Sequence, residues 1–226
     1  FTEALFRVMK PGRNVAVHVA DVARFKSIHG HASLMDFPAM CRIGMERAGF
    51  LYYGRVTIDK NPQAQAQRTK SQALMFVQLE RDSLMSRPAL ADYVMIFKKP
   101  GDPEVGVTPE CSRDEWIEWA RPVWYGIRET NVLNARQARG EEDEKHVCPL
   151  QLDLIERCIR LWSNRGEMIL SPFMGIGSEG VVAVRLGRRF SGIELKPEYF
   201  DTATGNITSE HRVATGQLRI HLEEVG

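Results

Sequence analysis

The placement of one glycine-rich turn constrains this chain more than any other feature. In Glu167-Met-Ile-Leu-Ser-Pro-Phe-Met-Gly-Ile-Gly-Ser-Glu-Gly180, a short apolar run from Met168 to Leu170 leads into Ser171-Pro172 and three glycines, Gly175, Gly177 and Gly180. An apolar run this short, bounded by turn residues, predicts a buried parallel strand. Beyond the turn, Val181, Val182, Val184 and Leu186 make a helical pattern that Gly187 ends. A second strand is predicted from Phe190 to Leu195, closing on Glu194. Strand, glycine turn, helix, strand, acid is the layout of a nucleotide-type cofactor site. Glycines let the backbone come close to a ligand, the helix N-terminus offers free N–H groups, and the acid accepts from ribose hydroxyls.

The same spacing fits the dinucleotide pattern, and the position of the turn separates the two readings. A dinucleotide domain opens with its glycine turn and needs most of a six-stranded sheet after it. Fewer than 50 residues follow Gly180. The remaining strands must then come from earlier in the chain, which implies a sheet wound in permuted order and disfavours a nicotinamide oxidoreductase.

With Pro172-Phe173 ahead of Gly175 and Gly177, the turn resembles that of the permuted (beta-class) S-adenosylmethionine-dependent DNA amino-methyltransferases, whose usual form is Asp-Pro-Phe-x-Gly-Ser-Gly-Thr-Thr. Ser171, Ile176, Ser178 and Glu179 stand at the positions that differ. Upstream, His146-Val-Cys-Pro-Leu-Gln-Leu-Asp-Leu-Ile-Glu-Arg157 is similar to the family's His-containing lead into the helix before the cofactor strand, with Leu150-Gln151 in place of its Lys-Pro pair. Downstream, Leu186-Gly-Arg-Arg-Phe-Ser-Gly-Ile-Glu-Leu-Lys-Pro-Glu-Tyr-Phe200 follows the family text closely. The resemblance covers residues 146–207 and looks most like phage- or prophage-borne members of the adenine-modifying, restriction-modification branch.

That resemblance implies an α/β, Rossmann-like methyltransferase fold: a mostly parallel, doubly wound sheet with one antiparallel strand in permuted order. It implies S-adenosylmethionine as cofactor, held by Ser171, Pro172, Phe173, Gly175, Gly177, Ser178, Glu194 and His146. Phe173 would line the methionine pocket. Ser171 puts a hydroxyl where the family has a carboxylate, a weaker, neutral bond for which Asp143 or Glu144 could compensate. The implied partner is double-stranded DNA with a flipped base, and the implied reaction is methylation of an exocyclic amine, adenine before cytosine. The family holds that amine in an Asp-Pro-Pro-Tyr-type loop. The 226 residues contain no Pro-Pro dipeptide, so the catalytic loop is expected upstream of Phe1 and no catalytic residue is assigned within the chain. A non-catalytic cofactor-fold module that binds DNA or a partner subunit is the alternative of a different class.

Three regions are expected: 1–100 as the catalytic half lacking its first strand, 101–145 as an insertion and candidate target-recognition region, and 146–226 as the cofactor-binding half. In the first, the sequence predicts a helix over Phe1 to Lys10, a parallel strand over Asn14 to Ala20, a loop over 22–34, a helix over Pro38 to Ala48 and a strand over Phe50 to Asp59. The polar stretch from Asn61 to Lys70, whose part from Gln63 to Lys70 reads as a solvated loop or a candidate for DNA contacts, precedes a helix to about Leu84, and Ala91 to Lys99 is a strand that in the resembled fold would be the antiparallel one. In the insertion, Ser112 and Glu115 form a capping box for a helix carrying Trp116 and Trp119, which with Trp124 build the insertion's own small core. Pro149 starts a helix stopped by Asn164-Arg-Gly166, and Pro197 starts another.

Composition adds exclusions. A formal charge of +1 supplies no global field for a polyanion, so any DNA contact must be a local patch. No apolar run approaches the roughly 18–20 residues of a membrane span, and no basic-then-apolar leader is present. A cytoplasmic protein of bacterial or phage origin is expected. Cys41, Cys111, Cys148 and Cys158 are scattered and expected to be reduced, and the His29/His31 pair has no partners for a metal.

Overall fold

A computed structural model describes residues 1–24, 26–69, 71–133 and 149–216. The chain forms two compact units. The first is Phe1–Val105 with Trp116–Gly126, and the second is Gly106–Glu115 with Ile127–Gly226. Residues 102–126 of the expected insertion are thus divided between them.

The first unit opens with α1 (Thr2–Val8), β1 (Asn14–Ala20), β2 (Val22–Arg24), α2 (Lys26–His29), β3 (Ser33–Met35), α3 (Phe37–Arg47) and β4 (Leu51–Ile58). It continues with α4 (Pro62–Thr69), α5 (Phe76–Arg81) and β5 (Asp92–Lys98). After α6 (Arg113–Trp119), β6 (Val123–Trp124) completes a four-stranded sheet of order β1-β5-β4-β6. β5 runs antiparallel to both β1 and β4, whereas β6 is parallel to β4. Three strands therefore share one direction and β5 opposes them, the single antiparallel strand expected at Ala91–Lys99. Flanked on both edges, β5 buries Val94, Met95 and Phe97 to 2% exposure or less, which explains an apolar run without alternation.

Local chemistry accounts for the starts of α3 and α6. Asp36 caps α3 by accepting from the Ala39 N–H at 2.8 Å, with Pro38 in the first turn. The Ser112 and Glu115 side chains exchange bonds with each other's backbone N–H at 2.8 and 3.1 Å, the reciprocal box the sequence predicted.

Four expectations need correction. The 22–34 loop is instead the β2–β3 hairpin, in which Val22 faces Met35 and Ala23 faces Leu34 around a short α2. The polar stretch from Asn61 is helical, because Asn61 Oδ1 accepts from Gln63 and Ala64 N–H and Pro62 starts a run of strong helix formers. The helix expected to reach Leu84 is broken into two 3₁₀ turns around α5. The tryptophans do not form a core of their own: Trp124 lies on β6 at 1% exposure in the sheet, its indole N–H donating to Trp119 O at 2.8 Å, while Trp116 is 55% exposed. Edge pairing to β4 captures Trp124, a contact with no local signature.

The second unit contains α7 (Leu152–Trp162), β7 (Met168–Ser171), α8 (Ser178–Arg185), β8 (Arg189–Gly192) and α9 (Pro197–Ala214). Leu152, Ile155 and Ile159 of α7 pack on Val182 and Ala183 of α8. β7 and β8 are parallel, in register from Met168↔Arg189 to Ser171↔Gly192. α7 begins three residues after Pro149, where Asp153 in its first turn accepts from Arg128 and Asn131. The Arg188 guanidinium is fully buried, satisfied by Ser163, the Leu186 carbonyl and Glu110. Burial of this kind holds a charge only when it is paired, as here. Burial also pushes the Cys158 thiol up to about 12, so it stays protonated at neutral pH. Among the described residues, no helix is long and apolar enough to cross a membrane.

A candidate ligand site at the glycine turn

The site is assembled where β7 ends and α8 begins. Ser171, the last residue of β7, is buried, and its carbonyl accepts from Ile193 N–H at 3.0 Å. The chain crosses back at once, with Met174 N–H donating to Ile193 O at 2.9 Å. These two bonds lay residues 171–174 alongside the segment that follows β8. Glu194 sits on that segment, two residues beyond the end of the strand and not within it as predicted.

Glu194 faces the turn. Its Oε2 accepts from Gly175 N–H at 2.8 Å, and its Oε1 accepts from the Leu195 and Lys196 N–H groups at 2.9 and 3.0 Å. Three backbone donors thus fix the carboxylate and leave one lone-pair direction, on Oε2, for a ligand hydroxyl.

The glycines divide the work. Gly175 has φ +53°, and a Cβ built on it meets nothing within 4 Å. Gly177 has φ +91° and caps α8, but its Cβ position lies 3.1 Å from the Cα and Cβ of Ala203 on α9. The expectation that both glycines clear space for a ligand is therefore corrected for Gly177, whose bare backbone admits α9. Gly180 serves packing too, against Ile207 and Phe190.

Around the turn, Met174 and Ile176 are buried beneath, while Phe173, Ile193 and Leu195 are 72%, 54% and 93% exposed. Three exposed apolar side chains beside a fixed carboxylate suit a ligand with an apolar face and a hydroxylated edge. Pro172, half-buried, ends the strand. Ser178, the first residue of α8, is 3% exposed, and its Oγ has no hydrogen-bond partner among the described residues. A buried hydroxyl without a partner at a helix N-terminus is an uncommon and costly arrangement. His146, Asp143 and Glu144 lie outside the described residues.

Sequence reasoning missed Gly192 and Asn206. A Cβ at Gly192 would collide with Met174, so the glycine lets the turn settle onto β8. Asn206 of α9 donates to Ile176 O at 2.9 Å and braces the turn from behind. Gly192 stands in the quoted motif text, but no local pattern marks Asn206. Among the described residues, no group of His, Cys, Asp or Glu could hold a metal.

Comparison with known proteins adds three findings. A family model described as DNA methylase matches residues 1–205. The type II methyltransferase M.BglI of Bacillus subtilis is 31% identical over 117 residues, 51% of this chain and 30% of that protein. The chain's matches span less than a third of the curated relatives, at 30%, 22% and 25% of their lengths. Among solved structures, a DNA modification methylase of Thermus thermophilus complexed with S-adenosyl-L-methionine aligns with TM-score 0.68 at 21% identity, over 93% of this chain and 74% of that one. The PvuII DNA methyltransferase, cytosine-N4-specific, aligns with TM-score 0.60 at 16% identity, over 96% and 75%. These two likenesses establish the methyltransferase fold.

Proposed function

Since this chain belongs to the DNA methylase family, we propose that it binds S-adenosylmethionine at the glycine turn and serves methyl transfer to an exocyclic amine of DNA, adenine in the first instance. The observation that carries the reading is the Glu194 carboxylate held on Gly175 N–H at 2.8 Å, beside the open space over Gly175.

The residues present fit such a cofactor on three counts. Glu194 is an oriented acceptor, through Oε2, for a ribose hydroxyl. Gly175 leaves free the volume that any side chain would fill. Ser178 Oγ is a buried polar atom that lacks a partner among the described residues, suited to the charged amino-acid end. When bound, the cofactor supplies a methyl group on a positively charged sulfur.

The chain's own part is then placement. Glu194 fixes the ribose, the Gly175 backbone admits the ligand closely, and Phe173, Ile193 and Leu195 cover its apolar face and exclude water. Ser171 contributes a neutral hydroxyl. An amine brought in line with the methyl needs no covalent enzyme intermediate, because orientation alone converts the encounter into an effectively unimolecular step. The base reaches that position by leaving the stack of double-stranded DNA. Residues 101–145 are the candidate target-recognition region, and His146 remains a candidate for the cofactor pocket. A cytoplasmic enzyme of bacterial or phage origin accords with this reading.

The test is tritiated-methyl incorporation from S-adenosylmethionine into mixed-sequence duplex DNA, using the protein from the whole reading frame that contains these 226 residues. Digestion to nucleosides should give N6-methyladenine. N4-methylcytosine would move the substrate to cytosine. Cofactor binding without incorporation would leave a non-catalytic module.

A further inference from the structure

The two compact units carry opposite charge. The first, Phe1–Val105 with Trp116–Gly126, holds 16 basic against 11 acidic side chains, a formal +5. The second holds 14 against 18, a formal −4. The total of +1 therefore conceals a basic unit. Salt screens exposed charges beyond about 8–10 Å, so a polyanion responds to local charge and not to the sum.

The β2–β3 hairpin carries an exposed share of that charge. From Val22 to Met35 stand Arg24, Lys26, His29 and His31, with no Asp or Glu. Arg24 is exposed, and so is every residue from 26 to 32, Ile28 to 73%. Burial does not account for this excursion, yet its shape is defined. Ala23 pairs with Leu34 and Arg24 with Ser33. Gly30, at φ +78°, closes α2 by donating to Lys26 O at 2.9 Å. Lys10, Arg42 and Arg121 of the same unit meet Glu104, Glu46 and Glu118. Arg24 and Lys26 have no carboxylate partner among the described residues. A phosphate arriving at the hairpin would break no ion pair and meet no acid.

We propose that the β2–β3 hairpin grips the phosphate backbone of duplex DNA through Arg24 and Lys26. The proposal rests on the reading of the chain as a DNA methylase. Contacts of this kind add affinity and set the position of the protein on the duplex, without reading sequence.

The test is fluorescence anisotropy with labelled duplexes of two unrelated sequences, from about 50 to 200 mM salt. The protein is again that of the whole reading frame. Arg24→Gln with Lys26→Gln should flatten the slope of log affinity against log salt by about 1–2, since each neutralised phosphate contributes about 0.9. Binding near about 0.1 M salt should weaken roughly tenfold or more, equally for both sequences. Lys26→Gln alone should show about half the change in slope; its side chain is exposed, so this variant keeps the test decisive even where the double variant misfolds. Arg24→Lys with Lys26→Arg keeps both charges and should keep the slope. S-adenosylmethionine binding by calorimetry should be unchanged in all three. An unchanged slope in the glutamine variants, the same loss in the charge-preserving variant, or a loss confined to one sequence would overturn the phosphate grip and leave the methylase reading standing. An unaltered protein that binds cofactor but no duplex would overturn both.

Discussion

Glu194 and Gly175, nineteen residues apart, are joined by a 2.8 Å hydrogen bond from the glycine N–H to carboxylate Oε2. The bond does two things at once. It pins the glycine turn to the segment after β8, and it aims the carboxylate over the glycine of that turn whose Cβ side is open. Acid and turn are therefore one preformed unit, and a ligand would meet an acceptor that needs no further ordering.

Replacing Glu194 by Ala should weaken S-adenosylmethionine binding about tenfold or more, since a charge-assisted bond is worth roughly 1.5–3 kcal/mol and about 1.4 kcal/mol is a factor of ten. Calorimetry on both proteins is the measurement. Equal affinities would remove Glu194 from the site.

The two positive-φ glycines should separate. Gly175→Ala places a methyl group in open space, at a backbone strain of roughly 1 kcal/mol, and should cost mainly ligand affinity. Gly177→Ala adds a contact at 3.1 Å to the strain and should cost about 2 kcal/mol or more of stability. Thermal melts beside titrations check this; matching profiles for the two variants would refute the division of roles.

Ser178→Ala should raise stability by about 1 kcal/mol, because it removes a buried hydroxyl with no partner among the described residues. Affinity for the cofactor should fall severalfold. A clear loss of stability with unchanged affinity would mean that Ser178 is structural.

Acid should probe the start of α7. Side-chain hydrogen bonds from Arg128, against an opposing effect of burial, hold the Asp153 carboxyl at about 2, below its ordinary 3.8. A depressed folded-state value stabilises above the unfolded value, so the contribution is complete above about pH 4 and disappears as pH falls through about 2. Asp153→Asn should cost about 1 kcal/mol at neutral pH, and its stability should converge on that of the unaltered protein across that window. Denaturant unfolding at several pH values decides; a constant gap would exclude the ion pair as the cause.

Much of the second unit was legible because its signals are local. The run Met168–Leu170, the turn glycines and the stripe on α7 each act within a few residues through φ, periodicity or a stop signal. The first unit was harder. Asn61 and Pro62 are a start signal that could have marked α4, but a glutamine-rich polar run reads as a loop when only apolar periodicity is followed. Nothing near Val22 or Met35 foretells that they pair.

From the sequence alone, then, came the strand–turn–helix–strand order and the acid that follows it, which rest on residue types at fixed spacing, while the antiparallel strand and the fold came from the resemblance to the family. The tertiary structure decided what surrounds each residue. Gly175 and Gly177 look alike in the chain, and only the arrival of Ala203 on α9 makes one a packing contact and leaves the other open. Trp124 and Ser178 took their meanings likewise, one from pairing with β4 and the other from a burial that brings no partner among the described residues. Backbone conformation is set over neighbouring residues, whereas free space and hydrogen-bond satisfaction depend on atoms far away in the chain that arrive only when it folds.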